Sequence, residues 1–244
     1  MSDAQQERSN RADASLLGHN AFMGSATLSV ADSTFCVHVL CWPIVPVAWR
    51  SMTQAWESIG GWRNELDSIA KATSPSWIAE CAAQLGSPFR GTTAEESTIA
   101  AILTRTPMSL AISVLDGAQA AKAVQRDGLL HCLSSYDSYV RVPGRQSCRT
   151  LVARCGVGTA DQEWSDAFDR SRRRLPDLEW LQSMELRNWT DPVEPLPLEA
   201  AHVIATSIAR YRADGDMANP IVEAVRSKLA HPLELLDRPP KKRR

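Results

Sequence analysis

A predominantly α-helical body with a small N-terminal β-element, an α+β arrangement, is the fold class this sequence predicts. Three observations carry it. Apolar residues recur at helical spacing through much of the 244-residue chain. Runs of β-branched and apolar residues concentrate between Phe22 and Trp42. Pro and Gly then cut the remainder into pieces of helix length. With 44% apolar and 23% charged residues, the chain has the composition of a globular protein able to bury a core.

Residues 1–20 are polar, mixed in charge and expected to be disordered. They contain no apolar h-region, and no run of about 18 apolar residues occurs anywhere, so neither classical export nor a membrane span is expected. A Ser/Gln/Asn-rich start also fits the specialised secretion signal of a translocated effector. Ala26–Val30 and Phe35–Cys41 read as a hairpin turning at Ala31-Asp32-Ser33, and Pro43 and Pro46 end the strand pattern. Trp49, Met52, Trp56 and Ile59 make a helical stripe broken by Gly60-Gly61, and Trp62, Leu66 and Ile69 resume it. Ser74-Pro75 opens a helix carrying Trp77, Ile78, Cys81 and Leu85. Thr93 with Glu96 forms a capping box ahead of Ile99, Ile102 and Leu103.

Met108, Leu110, Ile112 and Val114 alternate as in a strand, with a buried helix as the alternative. Residues 118–126 read as helix, and Leu129–Val142 as strand or irregular. Trp164, Phe168 and Leu175 share one helical face, and Leu178, Leu181 and Met184 follow Pro176. The main body thus spans residues 21–190, and Asp191–Pro197 is a Pro-rich connector. A helix pair follows at 198–236, carrying Ala201, Ile204, Ile208 and Tyr211, then Ile221, Val225 and Leu229 behind an Asn219-Pro220 cap. Two helices alone make a poor core, so this pair is expected to dock on the body.

The most informative feature for function is the tail at 237–244. Arg238, Lys241, Lys242, Arg243 and Arg244 supply five of the 27 Lys and Arg in the chain. The first 237 residues hold 22 basic and 28 acidic side chains, a formal charge of −6. An acidic body therefore ends in a basic arm, held extended by Pro239-Pro240. Such an arm suits phosphate contact, nuclear import or C-terminal secretion, or serves only as a solubilising terminus.

A second basic element lies between Asp137 and Asp161, a stretch without acids. Arg141, Arg145, Arg149 and Arg154 recur there at near-helical spacing, Arg145 and Arg149 sharing a face if 145–155 is helical, and Tyr136 and Tyr139 offer rings for an unpaired base. Arg172, Arg173 and Arg174 form a third cluster beside Arg170. Arginine suits bidentate phosphate contact, although Asp161, Glu163, Asp166 and Asp169 are close enough in sequence to pair with these side chains.

Other chemistry is less well supplied. Cys36 and His38 fall on one face of a strand and Cys41 on the other, with no second ligand pair, so no metal is expected. A thiol enzyme built on Cys81 with His131 or His202 and an acid such as Asp137 is conceivable on paper, but Cys81 sits on an apolar stripe. No Walker loop, Gly-x-Ser-x-Gly elbow or His-Glu-x-x-His occurs, and Gly156-Val157-Gly158 is too short to cradle a phosphate. Six cysteines spread thinly over a long chain argue for free thiols in a reducing, intracellular compartment.

The reading is a non-enzymatic, intracellular protein without cofactor, associated with DNA or RNA and with another protein. Its phosphate contacts would be Arg141, Arg145, Arg149, Arg154, Arg172, Arg173, Arg174, Lys241, Lys242, Arg243 and Arg244. The alternative is a protein-interaction factor or translocated effector whose tail is an address.

Overall fold

A computed structural model of the chain describes residues 20–30, 33–52, 93–116, 121–154, 159–189, 195–214 and 219–230. The N-terminal segment before Asn20, the helices expected between residues 53 and 92 (with Cys81), most of the connector and the basic tail lie outside these residues.

Five strands form one mixed sheet, β1 (Asn20–Val30), β2 (Ser33–Pro43), β3 (Met108–Asp116), β4 (Thr150–Arg154) and β5 (Glu185–Trp189). Their order across the sheet is β3-β2-β1-β4-β5. The hairpin β1–β2 and the pair β2–β3 are antiparallel, whereas β4 runs parallel to both β1 and β5. The helices are α1 (Thr93–Arg105), α2 (Ala121–Val140), α3 (Thr159–Arg174), α4 (Glu179–Ser183), α5 (Leu196–Asp214) and α6 (Pro220–Arg226). The class is therefore α/β, which corrects the expectation of a mainly helical chain with a small β-element.

The physical reason lies in β4 and β5. Strand β4 is five residues long with its centre buried on both faces, so it lacks the alternation that marks a half-exposed strand. The arginines flanking it mimic a helical repeat. Residues 145–149 are irregular rather than helical, so Arg145 and Arg149 do not share a helix face. Leu129–Val140, read as strand or irregular, is instead the second half of α2. Its Leu129, Cys132, Leu133 and Tyr136 do fall on one helical stripe, but the interposed serines dilute the signal.

Two apolar layers follow from the two-residue period of the strands. Phe22, Val37, Val39, Cys41, Leu110, Ile112 and Val152 face α1, α5, α6 and the helical turn at residues 48–52. Met23, Leu40, Trp42, Ala111, Leu151 and Ala153 face α2, α3 and α4. Trp49 closes the first layer, meeting Phe22 edge-on at 5.5 Å and donating Nε1–H to the Asn20 carbonyl at 3.0 Å. Asn219 caps α6 as the sequence indicates, its side chain accepting from the backbone of Ile221 and Val222.

Helix α5 approaches β1 so closely that only glycine fits at position 24. A β-carbon there would lie 2.4 Å from the Ala201 backbone. Just beyond, where β4 has ended, the Ser25 N–H donates to His202 Nδ1 at 3.2 Å. A partly buried ion pair, Arg210 with Glu96 at 2.9 Å, ties α5 to α1. The outer edge of β3 is covered by residues 228–230, where the Leu110 N–H donates to the Lys228 carbonyl and Ala230 donates back to Leu110.

On the other face, His38 is buried beneath α2, edge-on to Trp164 at 5.9 Å. A β-carbon on Gly128 would meet His38 Nδ1 at 2.4 Å, so the helix rests on the imidazole through a glycine. That nitrogen has no hydrogen-bond partner among the described residues, and burial pushes His38 down to about 4.

Both glycine seats can be tested through stability. Gly24→Ala forces backbone apart rather than a side chain, and is expected to cost about 3 kcal/mol or more in chemical denaturation. The unfolded chain protonates His38 near its ordinary value while the folded chain resists, so stability is complete above about pH 6.5 and falls toward pH 4. The loss is on the order of 3 kcal/mol, and in His38→Gln this component of the pH dependence is absent in urea titrations at stepped pH.

Candidate nucleic-acid interface

The topology brings three acid-free segments to one end of the sheet. Residues 44–50 leave β2, residues 105–107 enter β3, and residues 141–149 join α2 to β4. The first two are stitched by the Ile44 N–H donating to the Pro107 carbonyl at 2.9 Å. The third is tied to β2 through Tyr136 of α2, whose hydroxyl accepts from the Cys148 N–H and whose ring lies 4.7 Å from that of Trp42. These segments carry Arg50, Arg105, Arg141, Arg145 and Arg149, all exposed. Helices α1 and α2 both end here, so the arginines also face the negative ends of two helix dipoles.

Asp137 is the acid nearest the third segment in sequence, and it is occupied. It pairs with Arg141 Nε at 2.6 Å and accepts from Trp180 Nε1 at 2.9 Å. Among the described residues, Arg50, Arg105, Arg145 and Arg149 form no ion pair. Arg145 lies with its guanidinium 4.9 Å from the centre of the Tyr139 ring, its Nη1 3.4 Å from the phenol oxygen. Ile44, Val45, Val47 and Val142 are exposed in the same segments, at 38–55% of their surface.

The remaining sequence-predicted arginines separate from this group. Arg154 lies at the far end of β4 from Arg149, roughly 16 Å along the strand. Arg172 is built into the fold, with Nε donating to the Leu181 carbonyl at 3.1 Å, Nη2 donating to the Met184 carbonyl and its plane over the Phe168 ring. Its role is to close the turn from α3 into α4 and β5. Arg173 and Arg174 are exposed at the end of α3, and the exposed acids Asp177 and Glu179 follow closely in sequence, while the exposed Glu185 donates its N–H to the Arg149 carbonyl at 2.9 Å. Arg174 also lines an open groove of about 570 Å³ along α2, with Asp127, His131, Ser134 and Ser135. Lys241, Lys242, Arg243 and Arg244 lie outside the described residues.

Tyr136 is a correction. Its ring is fully buried between Trp42 and Trp180, and its hydroxyl accepts from the Cys148 N–H at 2.7 Å, so no base can stack on it. Tyr139 is half-buried and already carries Arg145. Sequence reading missed Arg50, Arg105 and the four exposed aliphatic residues. The available signal was the absence of acids in all three segments, which acquires meaning only once the sheet joins them.

Cys36, Cys41, Cys132 and Cys148 are buried free thiols. Burial pushes Cys132 up to about 12 and Cys148 up to about 11, and raises Cys41 further, opposite to what a nucleophile needs. Among the described residues no three His, Cys, Asp or Glu side chains are grouped to hold a metal ion. No described helix is long and apolar enough to cross a membrane.

Substitution separates the two kinds of arginine. Arg172→Ala removes two hydrogen bonds to carbonyls and a ring contact, and is expected to lower stability by about 2 kcal/mol in thermal or urea unfolding. Arg149→Ala, at an exposed position, is expected to change it by less than about 0.5 kcal/mol. Neither a scan against protein-family models nor searches of curated proteins and of solved structures find a match to this chain.

Proposed function

We propose that this protein binds nucleic acid through the arginine platform at the end of its sheet, with the basic tail as a second contact. The observation that supports the reading is the placement of Arg50, Arg105, Arg141, Arg145 and Arg149 at one end of the sheet, in three segments without an acid. The rest of the chain is net acidic, which favours the platform as a place on which a polyanion settles. Contacts of this kind neutralise phosphates and release counterions. They give affinity that falls steeply with salt and depends little on sequence. The proposal makes the protein a non-enzymatic intracellular factor, nuclear if the tail serves also as an import signal.

A second reading, a protein-interaction factor whose tail is an address, draws support from Ile44, Val45, Val47 and Val142 beside the arginines. An acidic, apolar protein surface would also fit them.

The test is a titration of the full chain and of a chain ending at Asp237 against short DNA and RNA at two salt concentrations. Wild-type affinity is expected to fall by at least about tenfold between roughly 50 and 200 mM salt. Replacing Arg50, Arg105, Arg145 and Arg149 by Gln is expected to flatten the salt slope by about 0.7 to 0.9 for each phosphate no longer neutralised. Truncation at Asp237 is expected to lower the slope in the same manner. Failure of the full chain to bind at low salt overturns the proposal.

A further inference from the structure

We infer that the platform is built for single-stranded nucleic acid, with unpaired bases packed on its aliphatic side chains and phosphates on its arginines. The inference rests on the platform reading and deepens it. Its starting point is a mismatch between the surface and a duplex. Helical DNA or RNA offers an outer surface of phosphates and sugars, and side chains as short as valine cannot reach base faces that are stacked inside. Seating a duplex here would press Ile44, Val45, Val47 and Val142 against charged oxygens and bury them without apolar gain.

A single strand carries both chemistries within one nucleotide. Its phosphate is anionic, and its base has two flat faces free to cover apolar surface. The platform alternates the same two chemistries. Along residues 44–50, three exposed aliphatic side chains precede Arg50, and along 141–149 Val142 lies between Arg141 and Arg145. Arg145 adds a third element. Its exposed guanidinium, supported by the Tyr139 ring, presents a planar cation on which a base can stack. The buried ring of Tyr136 and the covered ring of Tyr139 are thus replaced, as stacking surface, by an arginine plane and a row of aliphatic groups.

The experiment uses the full chain and three probes, an unstructured pyrimidine oligonucleotide of about 15 nucleotides, a blunt duplex of the same length, and vesicles containing phosphatidylserine. At about 50 mM salt the single strand is expected to bind at least about tenfold more tightly than the duplex. Val45→Ser with Val47→Ser and Val142→Ser is expected to remove most of that preference while leaving the salt slope intact. These positions are exposed, and an unchanged unfolding midpoint verifies that the fold is retained. Equal or tighter binding of the duplex overturns this inference but leaves the platform as a nucleic-acid site. Binding to neither nucleic acid overturns both readings, and binding to vesicles alone assigns the aliphatic row to a lipid surface instead.

Discussion

The seating of helix α5 on β1 is the contact on which the rest of the architecture depends. Strand β1 sits at the centre of the sheet, with its Phe22 under one helical layer and its Met23 under the other. Gly24 lets the backbone of α5 descend until it touches the strand, and His202 then accepts from the Ser25 N–H. A larger side chain at position 24 would lift α5, and with it the Arg210–Glu96 pair that holds α1 in place. Gly128 performs the equivalent service for α2 over His38. Two glycines, one on each side of the sheet, set the spacing of the layers.

That spacing also determines what happens at the sheet end. The connections of residues 44–50, 105–107 and 141–149 have no reason to meet except that β2, β3 and β4 are held in one sheet. Charge is handled differently on the two sides of this end. Toward β5, the exposed Glu185 lies beside Arg149, its N–H donating to the Arg149 carbonyl, and the exposed Asp177 and Glu179 follow Arg173 and Arg174 closely in sequence. Toward β2 and β3, Asp137 is bound by both Arg141 and Trp180, leaving the positive field of the other arginines uncompensated by it.

Features set by neighbours in sequence were legible without coordinates. The β1–β2 hairpin, the alternation of Met108 to Val114 and the Asn219-Pro220 cap each rest on a few adjacent residues, and each is present. The parallel strands were not legible, because Thr150–Arg154 has no solvent face to make a pattern and draws its pairing from Asn20 and Glu185, far away in the chain. The same limit applied to the arginines. Nothing local distinguishes Arg172 from Arg173, yet one is locked onto the Leu181 and Met184 carbonyls and the other faces water. A helix over 145–155 would put Arg145 and Arg149 on one face, and the chain instead turns into a strand that carries Arg154 away from the others.

The central position of β1 has a consequence for the order in which the chain is made. Ser25 waits for a partner 177 residues further on, and Asn20 for Thr150. At about 5–20 residues per second, the hairpin emerges roughly ten to thirty-five seconds before α5 can cover it. During that interval the face carrying Phe22, Val37, Val39 and Cys41 lacks its cover from α5, and a nascent chain in this state is a ready client for a holding chaperone.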